Sequence, residues 1–275
     1  MPELPEVETV CRGLQPVLEG RRIVRLTLRR KDLRIPFPKD LKARTEGRKV
    51  ERIFRKAKYI VMALDSGDAL IAHLGMSGRM QVVKSAMPFD AHDHVIFVTG
   101  DGAEVRFNDP RRFGLLTITP LAGLESHKLF RHLGPDPLAD SFTPEALSAA
   151  LKGRKTAIKT ALLDQRIVVG VGNIYASESL HLAGISPKRT AGTVAGERAR
   201  VLVPAIKEVL RQAIAAGGSS LRDHVQPSGE LGYFQHAWKA YGREGEACRC
   251  GADKAVIQRI VQGARSTFFC AKCQR

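Results

Sequence analysis

Tyr59-Ile-Val-Met-Ala-Leu-Asp-Ser-Gly-Asp-Ala-Leu-Ile-Ala-His73 decides the fold class of the first half of the chain. Two short apolar runs, Tyr59–Leu64 and Ala69–His73, flank the turn signal Asp65-Ser66-Gly67-Asp68, as paired strands do. Working outward, the same grammar recurs from residue 22 to about residue 120. Ile23–Leu28, Val95–Val98 and Leu115–Ile118 are further short apolar or alternating runs, and Gly100-Asp101-Gly102 is a second turn signal. The pattern predicts an antiparallel β-sandwich. Before it, residues 3–19 carry Val7, Val10, Cys11, Leu14 and Leu18 at helical spacing with Gly20 to end the helix, so one amphipathic helix precedes the sheets.

Leu133-Gly134-Pro135-Asp136-Pro137 reads as a linker, and beyond it the chain turns helical. Thr143-Pro144-Glu145 is a helix start with Thr143 as N-cap. Lys155–Asp164 and Ile174–Ala183 are expected helices. A longer one runs from about Gly196 to Ala216 on a stripe of Val201, Leu202, Ala205, Ile206, Val209, Leu210, Ala213 and Ile214. Pro204 inside it is expected to kink it or move its start. Gly217 to Tyr233 reads as a long polar loop of the kind that is usually functional. The fold class is α+β: an N-terminal helix plus antiparallel β-sandwich over 1–132, a helical domain over 133–240, and a cysteine-bearing β-hairpin over 241–275.

The 275 residues hold 44 Lys and Arg against 28 Asp and Glu, a net charge of +16. Such a balance favours a polyanionic partner, most commonly nucleic acid. The excess is concentrated: Arg21 to Lys58 holds 16 basic residues against Asp32, Asp40, Glu46 and Glu51, a density suited to tracking phosphates. No stretch approaches the roughly 20 apolar residues of a membrane span. The acidic start lacks the layout of a secretory signal, which points to a soluble protein in a reducing compartment. Clustered cysteines there mean metal rather than disulfides. Cys270-Ala-Lys-Cys273 has the spacing of half a zinc site, and with Cys248 and Cys250 it brackets two expected strands, Ala255–Val261 and Ser266–Phe269, as in a zinc ribbon. Cys248-Arg-Cys250 is one residue tighter than usual, so Asp253 is an alternative ligand. Arg265 sits at the hairpin tip, either as a solvated turn residue or as a phosphate contact.

A small second residue usually permits removal of the initiator Met, which would expose the secondary amine of Pro2. An α-amino pKa of ~8 leaves part of it neutral and nucleophilic near neutral pH. Attack on an aldehyde-level sugar carbon would give an iminium, with Glu3 and Glu6 near enough in sequence to transfer protons. On residue type alone, Pro2 reads first as a helix-start residue.

Met1-Pro-Glu-Leu-Pro-Glu-Val-Glu-Thr9 and the C-terminal cysteines together resemble the formamidopyrimidine-DNA glycosylase (Fpg or MutM) family. Further matches are Ala57-Lys58-Tyr59, His73-Leu-Gly-Met-Ser-Gly78, His92-Asp-His94, Asp109-Pro-Arg-Arg-Phe-Gly114, Lys155-Thr-Ala-Ile-Lys159 and Val169-Gly-Val-Gly-Asn-Ile-Tyr-Ala-Ser-Glu178. The resemblance implies a bifunctional glycosylase and lyase of base excision repair that removes 8-oxoguanine and formamidopyrimidines and then cuts the strand by β,δ-elimination. It implies catalytic roles for Pro2 (Schiff base), Glu3 (general acid), Lys58 (β-elimination) and Arg265 (δ-elimination). Met76, Arg111 and Phe113 would fill the hole left by a flipped nucleotide. Judged by residue type alone, Met76 and Phe113 are ordinary core packing. His92, Arg154, Lys159 and Asn173 fall at DNA-contact positions, and Arg154 stands where the family often has Lys. Asn173 is expected to N-cap a helix of a helix–two-turn–helix motif that offers its amides to a phosphate. The 217–233 loop is expected to cover the flipped base. One structural zinc on Cys248, Cys250, Cys270 and Cys273, a double-stranded DNA partner, a monomer and a bacterial cytoplasmic location complete the expectation. The pyrimidine-preferring endonuclease VIII branch and a non-catalytic architectural DNA binder are the competing readings.

Overall fold

The computed structural model describes residues 1–83, 87–219, 227 and 232–275. Two compact units emerge: Met1–Arg131 with Ala216–Gln235, and His132–Ala215 with His236–Arg275.

In the first unit, helix α1 (Leu4–Leu18) carries Pro5 in its first turn, where a proline is preset for the helix. Its capping box pairs Glu3 with Glu6, whose Oε2 accepts the Glu3 N–H at 2.8 Å. Val7, Val10, Cys11, Leu14 and Leu18 are all buried, as their spacing predicts. A short helix α2 (Leu41–Thr45) follows strand β1 (Ile23–Leu28). Strands β2 (Val50–Lys56), β3 (Tyr59–Leu64), β4 (Asp68–His73) and β8 (Leu115–Pro120) form one antiparallel sheet in the order β2-β3-β4-β8. Strands β5 (Arg79–Val83), β6 (Asp93–Thr99) and β7 (Glu104–Asn108) join β1 in a second, ordered β1-β6-β7-β5. Leu26, Phe97, Phe107 and Met80 from one sheet, Ile53, Ile60, Met62 and Leu116 from the other, and Leu14 of α1 share one apolar core. Burying those inward faces is what holds the two sheets together.

The second unit is helical. Thr143 caps α3 (Pro144–Leu151) by accepting the Ala146 N–H at 3.1 Å, as expected. The expected helix over Lys155–Asp164 shrinks to α4 (Ile158–Leu162). Residues 154–157 instead run beside 189–192: the amides of Gly192 and Ala191 reach the Arg154 and Thr156 carbonyls, and Ile158 N, at the start of α4, reaches Arg189 O. Pairing with a distant segment here outweighs local helix propensity. Helix α5 is Asn173–Leu182 and α6 is Glu197–Ala215. Pro204 neither moves the start of α6 nor ends it; it lies on the exposed face, where the carbonyl of Arg200 that it strands can be hydrated. Val201, placed by its spacing on the buried stripe, is 54% exposed. The rest of the buried line is as expected through Leu202, Ala205, Ile206, Val209, Leu210 and Ala213, joined by Ala199 and Val203. Strands β9 (Ile257–Gln262) and β10 (Arg265–Cys270) form the terminal hairpin. No helix of the described residues is long and apolar enough to cross a membrane. In the 217–233 segment, residues 220–226 and 228–231 lie outside the described residues.

Candidate active site

Pro2, Glu3, Glu6 and Lys58 are all buried in the first unit. Lys58 is the second residue of the β2–β3 turn, with Lys56 paired to Tyr59 across it. The first turn residue is Ala57 at φ 55, a left-handed conformation that costs an L-residue about 1–2 kcal/mol. Glu6 is engaged by backbone on both carboxylate oxygens. Its Oε2 holds the Glu3 amide, and its Oε1 accepts the Ser219 N–H at 2.8 Å. It fastens the start of α1 to the 217–219 segment.

His73, at the end of β4, belongs to this cluster, although sequence reasoning assigned it no role. Its Nδ1 accepts the Gly75 N–H at 2.9 Å, and its ring lies 4.8 Å from that of Tyr59. Burial first, then the charges of Lys58, Arg34 and the amino terminus, push its pKa from 6.5 down to about 4. The imidazole is therefore neutral at working pH. Lys58 and the amino terminus are among the charges that act on it. Because folding lowers this pKa, the unfolded chain binds more protons between pH 6.5 and about 4. Stability from this source is complete above pH 6.5 and is lost as pH falls toward 4, by about 3 kcal/mol in all. Urea unfolding at pH 7.5 and 4.5 should show the stability gap between wild type and His73→Asn closing at the lower pH. A gap of constant size would contradict this assignment.

Met76 and Phe113 are 41% and 44% exposed, so the core-packing reading of these residues does not hold. They sit on two loops that touch. His73 pairs with Leu115, which sets the 74–78 loop against the 109–114 loop. A Cβ on Gly75, whose φ is +66, would fall 2.4 Å from the Phe113 carbonyl carbon, so only glycine permits this approach. The Arg111 guanidinium lies 4.8 Å from the Phe113 ring centroid, in cation–π contact. His92 is exposed, beside β6.

In the second unit, Asn173 is the first residue of α5 and Gly172 is the N-cap, without a side-chain cap; the expected Asn173 cap is corrected. The Asn173 Nδ2 instead donates to the Ser266 carbonyl at 3.0 Å. Lys159 has no exposed surface, and its Nζ approaches the same carbonyl at 3.5 Å. Both residues thus converge on the hairpin strand that begins with the exposed Arg265. Gly263 and Ala264 between the strands both have positive φ, the backbone of a type I′ turn. Arg154 donates to Ala150 O and lies 3.6 Å from Asp164.

The four cysteines at the base of the hairpin meet, with the Sγ atoms of Cys248, Cys250, Cys270 and Cys273 all within 4.8 Å of one another. Cys248 and Cys273 are 3.9 Å apart. Tetrahedral zinc with bonds of about 2.3 Å needs sulfurs about 3.8 Å apart, so the set fits that ion. The tight Cys248–Cys250 spacing is no obstacle, and Asp253 is not part of the group. Burial pushes the Cys248 thiol up to about 11, so a cation is what would favour its thiolate. His181 of α5 adds a contact not foreseen from sequence: its Nε2 lies 3.2 Å from Cys248 Sγ. With its proton on Nε2, the imidazole would donate to the sulfur and orient it as a ligand.

Comparison with known proteins agrees with this arrangement. Residues 1–116 match the formamidopyrimidine-DNA glycosylase N-terminal domain, 133–225 the H2TH domain of the same proteins, and 249–275 the zinc finger found in FPG and IleRS. The formamidopyrimidine-DNA glycosylase of Acidiphilium cryptum is 55% identical over 278 residues, covering 100% of both chains. The crystal structure of the MutM (Fpg) protein of Thermus thermophilus superposes with a TM-score of 0.87 at 37% identity, over 99% of this chain and 98% of that one. A Lactococcus lactis Fpg variant in complex with Fapy-dG-containing DNA gives 0.91 at 32% identity, over 100% of both chains. By class, the fold and its site are those of a DNA-repair glycosylase with one structural zinc. The chain belongs to the formamidopyrimidine-DNA glycosylase family.

Proposed function

We propose that the chain is a bifunctional glycosylase and lyase that removes 8-oxoguanine and formamidopyrimidines from double-stranded DNA through the imino nitrogen of Pro2. The observation that carries this reading is the burial of Pro2, Glu3 and Lys58 within the part of the chain that matches the formamidopyrimidine-DNA glycosylase N-terminal domain. Once Met1 is removed, the nitrogen of Pro2 is a secondary amine. It bonds to C1′ as the bond from C1′ to the base breaks, and the base leaves with the electron pair and takes up a proton. Glu3 delivers a proton to O4′ as the sugar ring opens, which leaves an iminium. Loss of a C2′ proton expels the 3′ phosphate, with Lys58 handling the proton. A second elimination expels the 5′ phosphate, and water then frees Pro2. Arg265, too weak an acid to release a proton readily, grips a phosphate during the second elimination.

Met76, Arg111 and Phe113 occupy the hole left by the flipped nucleotide, with Arg111 facing the orphaned cytosine. His92, Arg154 and Asn173 hold backbone phosphates. Lys159 serves the same surface from beneath, through the Ser266 carbonyl. In this reading the chemistry belongs to 1–132, phosphate binding to 133–240, and the Arg265 hairpin to 241–275, and the protein works as a monomer on lesion-bearing DNA in the bacterial cytoplasm.

The reading is tested on duplexes carrying 8-oxoguanine opposite cytosine or thymine glycol. Faster cleavage of the first, with a one-nucleotide gap flanked by phosphates, is expected; equal or reversed preference assigns the chain to pyrimidine repair. Lys58→Ala should slow strand cleavage at an abasic site by about 10²–10⁴-fold, the span of general acid–base contributions. Cleavage at the wild-type rate would remove Lys58 from the mechanism.

A further inference from the structure

Asp109 has no exposed surface, and each of its polar atoms is engaged. Its Oδ1 accepts the Ser77 hydroxyl at 2.7 Å, and its Oδ2 accepts the Gly114 N–H at 2.8 Å. Its amide donates to His92 O at 3.0 Å, and its carbonyl meets the His94 Nε2 at 3.0 Å. The same carbonyl accepts the Arg112 N–H at 3.2 Å. Ser77 Oγ in turn accepts the Arg111 N–H at 3.2 Å. One residue therefore ties together the loop of Met76, the loop of Arg111 and Phe113, and the backbone of His92.

The loops it joins need such a tie. Arg112 stands at φ 57, a left-handed conformation that is unfavourable for arginine, and the Gly75 contact leaves no room for slippage. Apart from the Arg111–Phe113 contact, exposed side chains that must enter a base stack gain little from packing against the rest of the protein. Their aim comes from the backbone beneath them. A carboxylate suits this task because it offers acceptors in two directions, and here each direction serves a different loop.

We propose that Asp109 is the positioning residue that makes Met76, Arg111 and Phe113 act as one rigid wedge, an inference that rests on the wedge role given above. Asparagine is not an equivalent. Its oxygen can still take the Gly114 N–H, but its NH₂ then faces Ser77 Oγ, which already accepts from Arg111, and the serine proton loses its acceptor. Asp109→Asn, and Ser77→Ala, which removes the same Asp109–Ser77 tie together with the acceptor of the Arg111 N–H, should therefore weaken intrusion without touching the groups around Pro2.

Two substrates separate this role from a merely structural one. An 8-oxoguanine duplex must be opened by the wedge, whereas an abasic site in a single strand has no stack to open. Asp109→Asn should cut the lesion from duplex about tenfold to a hundredfold more slowly than wild type, the scale of a misplacement near 1 Å. It should be trapped by borohydride on the single-stranded abasic substrate within about twofold of wild type. Ser77→Ala should show the same split. Equal losses on both substrates, or no loss on duplex for either variant, would overturn the proposal. Wild type that is not trapped on the abasic strand would instead defeat the Pro2 reading.

Discussion

Keeping Met1, or any other residue, in front of Pro2 is expected to abolish covalent capture of DNA and to lower lesion excision by on the order of 10⁴-fold or more, the scale seen when a nucleophile is removed. The reason is chemical. An acylated proline nitrogen is an amide, its lone pair is delocalised into the carbonyl, and it has no hydrogen to lose on forming a bond to C1′. The rest of the site would survive. Glu3 would still be held by Glu6, and Lys58 would still sit in the β2–β3 turn. Affinity for an uncleavable abasic analogue should therefore change by less than about tenfold. The comparison needs one preparation with Pro2 exposed and one with a single preceding residue, each checked by intact mass. Undiminished turnover in the blocked protein would mean that another amine carries the reaction.

Stripping the metal is expected to have the second largest effect. The core under the hairpin is small: Ala240, Cys248, Ala255, Ile257 and Cys270, with Phe268 and Cys273 packed against it. Zinc contributes roughly 10–16 kcal/mol to folding in finger peptides, comparable to the 5–15 kcal/mol that holds a whole domain. A chelator with a reductant should release one zinc per chain and erase amide-exchange protection across 247–275. It should also loosen the Ser266 strand that receives Asn173 and Lys159, so DNA affinity should fall at least about tenfold. Four thiols should become reactive while Cys11 stays silent, since burial pushes its thiol up to about 12. The first unit should keep its protection. Retained protection in the hairpin after complete zinc release would show that the metal is not what folds it.

The architecture was legible wherever one face of an element is buried. The α1 stripe, the 59–73 hairpin and the Thr143 cap follow from periodicity and turn chemistry, and all appear at their expected places. What sequence could not show depends on partners far along the chain. Residues 154–157 are kept out of a helix by a segment more than 30 positions later. Asn173 leaves its capping place for a carbonyl 93 residues on. The role of His181 arises only because α5 delivers it beside Cys248. Residue type also misleads at exposed apolar positions. Met76 and Phe113 look like core because apolar side chains usually are, and only the fold shows them at loop tips. The chemistry of Pro2 was visible by resemblance and not by periodicity, because a proline at a helix start satisfies every local rule.

The most direct test is to reduce the protein with borohydride on a duplex containing one 8-oxoguanine, digest the trapped complex and locate the sugar adduct by tandem mass spectrometry. The account predicts a single modified peptide that begins at Pro2 and carries the deoxyribose remnant on its first nitrogen. An adduct on the ε-amine of Lys58 or any other lysine, with the Pro2 peptide unmodified, would contradict it.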